Sequence, residues 1–176
     1  MNNKYFLSNL KLLPIGLILL LVVSRVIPHP PNFTPIITIA IMSGYFFKDN
    51  YLSIFVLLIS MFLGDFFIGF YKNMFFIYFS LILITLIFSS ISKKINYQNL
   101  FLYGFLGSMI FFIISNFGVW LIGGLYTKDI DGLIECYFMA IPFFKNTVIS
   151  TLLFSYVAFF SNNYVGELSQ KLFRRS

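Results

Sequence analysis

The sequence predicts an all-α integral membrane protein of six transmembrane helices, built as a single domain over residues 1–176. Three observations predict it. Of the 176 residues 59% are hydrophobic and only 10% charged, and the mean hydropathy is +0.90. The 25 phenylalanines are more than a soluble core of this length can hide. Polar residues fall as punctuation between apolar runs, most of them near the roughly 20 residues that carry a helix across a bilayer.

The first span is expected at about 12–28, "LLPIGLILLLVVSRVIP", where Lys4 and Lys11 precede an apolar run in the manner of a secretory signal. "VVSRVIPHPP" then offers no Ala-x-Ala-like cleavage site, so the segment reads as a retained helix. Next comes "RVIPHPPNFTPI", residues 25–36, which holds an arginine, the single histidine and four of the six prolines. Proline fixes φ and turns its predecessor away from helix, so Pro28, Pro30 and Pro31 end the first span. Pro35 suits the first turn of the second span, about 33–47, with Asn32 or Thr34 as its cap. That span is short. The third is expected at about 51–70 and the fourth at about 73–92. The fifth is expected at about 100–124 and the sixth at about 139–161. A tail, "ELSQKLFRRS", places Leu168, Leu172 and Phe173 against the membrane face, with Arg174 and Arg175 near anionic headgroups.

Lysine and arginine choose the orientation. With both termini inside, Lys4, Lys11, Lys48, Lys93, Lys94, Lys171, Arg174 and Arg175 are cytoplasmic, and Arg25, Lys72, Lys128 and Lys145 are not. The net charge of +6 is therefore a topology signal with an attraction to membrane lipid, and its scatter excludes a nucleic-acid-binding stripe. The expected location is the inner (cytoplasmic) membrane, as a multi-pass protein.

Ionisable groups within spans are costly and face a cavity or a partner. Here they gather in the outer half. Arg25 ends the first span, Asp65 lies in "FLGDFFIGF", and Lys145 with Asn146 lies in "IPFFKNTVIS". Asn116 and Trp120, four apart, share a helical face that Gly123 continues. His29 and Asn32 stand in the proline loop, and Tyr137 follows the acidic segment "KDIDGLIE". Asp65 and Lys145 also make a candidate structural ion pair, with Arg25 as the competing partner. The inner half is nearly all Leu, Ile, Phe, Val and Ser, which suits an outward cup rather than a pore.

Motifs for catalysis are missing: no HExxH, no GxSxG, no Walker sequence, and an EF-hand-like acidic run whose spacing fails. One histidine and the lone Cys136 make no conventional metal site. The expectation is a protein that is not an enzyme, with no metal and no cofactor.

Four segments, "SRVIPHPPNFTPI", "LGDFFIG", "SNFGVW" and "CYFMAIPFFKNT", span about 24–150. The chain thereby resembles an uncharacterised bacterial membrane-protein family related to the S components, the substrate-binding subunits of energy-coupling factor transporters. The resemblance implies an S-component-like fold and uptake of a vitamin-like small molecule bound in an outward-facing pocket. It also implies partnership with an ATP-driven energy-coupling module. The first span lacks the Ala-x-x-x-Ala by which S components dock that module, and Ala40-x-x-x-Gly44 is an imperfect substitute. In this reading Arg25, His29, Asn32, Asp65, Asn116, Trp120, Tyr137, Lys145 and Asn146 bind the ligand. Lys145 and Asn146 would fix an anionic group, and "YTKDIDGLIECYF" would form a lid. The alternative is a non-transporting membrane scaffold of the rod-shape-protein type.

Overall fold

The computed structural model describes residues 3–47, 49–92 and 95–174, with side chains from residue 14 to residue 164 apart from Ser90. The orientation signal of Lys48, Lys93, Lys94 and Arg175, of the side chains of Lys4, Lys11, Lys171 and Arg174, and of the tail's Leu168, Leu172 and Phe173 lies outside the described residues. All regular structure within them is helical.

Helix α1 (Asn3–Val26) stops two residues before Pro28, as the proline argument requires. Helix α4 (Asn50–Ile68) starts where the Asp49 carboxylate accepts from the Tyr51 amide at 2.9 Å. It ends at Gly69, whose φ of 106° is open to glycine and whose amide donates to Asp65 O at 2.8 Å. Helix α5 runs Met74–Ile91. Helix α6 (Tyr97–Gly123) is capped by Asn96, which accepts from the Asn99 amide at 2.9 Å.

The second and last spans differ from expectation. The second is two short pieces, α2 (Ile36–Ile41) and α3 (Ser43–Phe46), broken at Met42. No side chain caps α2; neither Asn32 nor Thr34 does so, because Pro35 itself precedes the helix and its carbonyl takes the Ile39 amide at 3.1 Å. Ten helical residues rise only about 15 Å, against a hydrocarbon core of about 30 Å. Every residue of α2 is buried, and the helix touches α4, α5 and α6. It is the axis of the bundle. The last helix, α7 (Ile130–Arg174), begins some nine residues earlier than about 139. The Asp129 carboxylate accepts from the Gly132 amide at 2.8 Å and starts the helix there, so the expected lid is reduced to a short connection.

Asn50–Ile68, Tyr97–Gly123 and Ile130–Tyr164 are long and apolar enough to cross a membrane. Pro14–Val26 and Met74–Ser89 are shorter apolar helices. This is an all-helical membrane protein by length and composition.

Small residues and hydroxyls set the packing. A Cβ on Gly44 would lie 1.7 Å from the Ser89 carbonyl oxygen, so α3 and α5 meet backbone to backbone. Several buried hydroxyls bond their own helix, as Thr85 does to Leu81 O at 2.9 Å and Ser60 to Val56 O at 2.5 Å. Others tie the early chain to α7. Thr38 donates to Thr151 O at 3.0 Å, Ser155 donates to Thr38 at 3.3 Å, and Asn162 donates to the Tyr45 hydroxyl at 2.9 Å. Around these, Leu21, Ile37, Leu57, Met61, Leu81 and Ile84 form the apolar core.

Candidate functional site

The polar groups collect at the end of the bundle that carries the proline loop. Arg25 occupies the last turn of α1, where a cation meets the negative end of the helix dipole. Helix α1 packs along α4, and Gly64 makes room for the arginine: a Cβ there would sit 2.6 Å from Arg25 Nε. The guanidinium forms an ion pair with Asp65, which is fully buried, and its Nη1 donates to Met61 Sδ at 3.0 Å. The Tyr78 hydroxyl donates to the second Asp65 oxygen at 2.7 Å. Both carboxylate oxygens are thus satisfied, while Arg25 Nε is buried without a partner. Tyr71, in the α4–α5 connection, stands beside the pair; burial, then the Asp65 charge, pushes its phenol above the usual range.

The loop is held as firmly as its prolines suggest. Pro31 and Asn32 form the corner of a turn closed by the Phe33 amide on Pro30 O at 3.0 Å. Asn32 has φ 61°, a left-handed value that asparagine tolerates and that the second corner of a type II turn needs. From α7, Asn146 donates to Pro31 O at 3.2 Å and Ser150 to Asn32 O at 3.3 Å. Replacing Pro30 and Pro31 together by glycine should loosen this corner by on the order of 1 kcal/mol each. Hydrogen exchange at the Phe33 amide is expected to quicken roughly 5- to 30-fold. An unchanged rate would show that the α7 contacts alone hold the loop.

Two cavities with polar walls open at this end. The first, about 330 Å³, has Arg25, His29, Asn32 and Tyr71 among its polar walls and Ile36, Ile37, Leu81 and Phe111 among its apolar ones. His29 Nδ1 lies 2.7 Å from Pro30 O, which calls for the proton on Nδ1 and leaves Nε2 for another partner. The second, about 380 Å³, is lined by Asn73, Ser115, Asn116, Tyr126 and Cys136, and shares Asn32, Ile77 and Phe111 with the first.

Several expected site residues are employed elsewhere. Asn116 reaches the second cavity but donates to Phe112 O at 2.8 Å. Trp120 lines neither cavity; its indole N–H donates to Thr127 O at 2.8 Å. The Lys128 ammonium donates to Trp120 O and stands 5.7 Å from the ring centroid. Tyr137 donates to Ile113 O at 2.7 Å and lines neither cavity. Lys145 is exposed and lines neither. It is not the partner of Asp65, because the α1–α4 contact delivers Arg25 to that carboxylate first. In the connection before α7, the Thr127 hydroxyl at 2.7 Å and the Gly132 amide hold the Asp129 carboxyl below its usual range.

Met61, Tyr71 and Tyr78 belong to the charged cluster without having been foreseen.

A family model described as "Family of unknown function (DUF6580)" matches residues 7–172. The chain belongs to this family. No curated protein and no solved structure matches it. In this DUF6580 chain the matched stretch contains the whole of the site, from Arg25 to Asn146.

Proposed function

We propose that this DUF6580 protein is a six-span protein of the inner membrane, with both termini cytoplasmic, that binds a vitamin-like small solute in an outward-facing cavity and takes part in its uptake, as S components of energy-coupling factor transporters do. The observation that carries the reading is the first cavity. Its size falls in the range of small-molecule sites, and a few polar groups converge on a mostly apolar wall. The proline loop and α7 hold its mouth in one geometry, which lowers the ordering cost of binding. Asp65 already compensates Arg25, and Lys145 is outside the cavity, so an uncharged, hydrogen-bonding solute suits it better than the anion expected from the sequence.

Native mass spectrometry of the protein purified from its own cells tests this. The parent should carry a small molecule that is not lipid. Thr34→Phe, which fills the first cavity, should lose that mass while melting within a few degrees of the parent. A parent with no such mass, or equal occupancy in both proteins, overturns the reading. Orientation is tested in a Cys136→Ser background. A cysteine at Asp131 should react with an impermeant maleimide on intact cells, and one at exposed Gln98, at the other end of the bundle, should not. The reverse pattern sinks the topology.

A further inference from the structure

The two cavities meet at a wall of two side chains. Ile77 from α5 and Phe111 from α6 line both, and both pack on the apolar core. Asn32, the third shared residue, is exposed at the rim. The chambers differ in chemistry: Arg25 and His29 line the first, whereas among the described residues no acidic or basic side chain lines the second. Along α6, residues 107, 111, 115 and 118 follow at steps of three and four and so share a face. They read Gly107, Phe111, Ser115 and Gly118, all buried or half-buried. Phe111 is the one bulky group among these four.

We infer that Phe111 is the specificity-determining residue of the site: its ring closes the charged chamber against the uncharged one and so limits the size of the solute. Without it the second chamber takes the amide- or hydroxyl-bearing remainder of a longer solute, facing Asn73, Ser115, Asn116 and Tyr126. This deepens the solute-binding reading and rests on it for its meaning. The wall itself is measurable without any solute.

The test places Thr34→Cys in the first chamber and uses native Cys136 in the second. Bismaleimidohexane is applied to the protein in lipid nanodiscs, and intact mass counts molecules in which one reagent bridges both thiols. A linker that cannot pass between its sites has an effective concentration near zero. Adding Phe111→Ala is therefore expected to raise the bridged fraction about tenfold or more over the Phe111 protein. Phe111→Leu, a milder truncation that keeps the core filled, should raise it in the same direction. A ratio near one for the folded variants, with or without bridging in the Phe111 protein, overturns the inference. Failure to find a co-purified solute would fell the functional reading and leave this ratio untouched, so the two failures are distinguishable.

Discussion

Replacing Arg25 by alanine is expected to destabilise the protein by about 3–5 kcal/mol, the usual cost of breaking a buried pair from one side. Asp65 would remain fully buried with only the Tyr78 hydroxyl as a partner. Arg25→Ala with Asp65→Ala should recover much of the loss, since removing both charges also removes their desolvation. Arg25→Lys should fall between, because an ammonium is a single point charge and cannot serve Asp65 and Met61 from a fork. Lys145→Gln should leave the melting temperature almost unmoved. Thermal melts of the four variants in one detergent check all of this. Equal losses for Arg25→Ala and Lys145→Gln would refute the assignment of the pair.

Gly44→Ala should come next in size. The added carbon would lie 1.7 Å from a carbonyl oxygen of α5 and 2.8 Å from the Ser92 hydroxyl, so two backbones must part. Overpacking of this kind costs about 1–3 kcal/mol or more. Gly16→Ala is the internal control: nothing stands within 4 Å of its site, and alanine favours helix by roughly 0.5–1 kcal/mol. The two melting temperatures should move in opposite directions. A stable Gly44→Ala protein would mean that α3 and α5 are not in backbone contact.

The elements were legible in the sequence where local chemistry decides them. Prolines ended α1, and the second apolar run was visibly short. The partners of those elements were not legible. Spacing puts Asp65 and Lys145 at similar depth, but depth does not say which helices touch, and α1 lies on α4. Gly64 held the clue, since a glycine beside a buried aspartate leaves space for a long side chain from a neighbour. Asn116 and Trp120 do share a helix, yet their polar atoms serve carbonyls of their own helix and its following turn. Tyr71 and Tyr78 were hidden by abundance: among 11 tyrosines and 25 phenylalanines, two more aromatic residues carry no signal.

The bonds that cross from the early chain to α7 also set a schedule for synthesis. Pro31, Asn32, Thr38 and Tyr45 meet partners 113–118 residues later in the sequence. At ordinary elongation rates the ribosome needs somewhere between about 6 and 24 seconds to make that stretch. Until then the axial helix, too short to cross a bilayer alone, has no final neighbour for its threonine, and the proline turn has unclaimed carbonyls. A nascent chain halted before Asn146 holds a core that cannot close. That segment needs cover from lipid until α7 arrives.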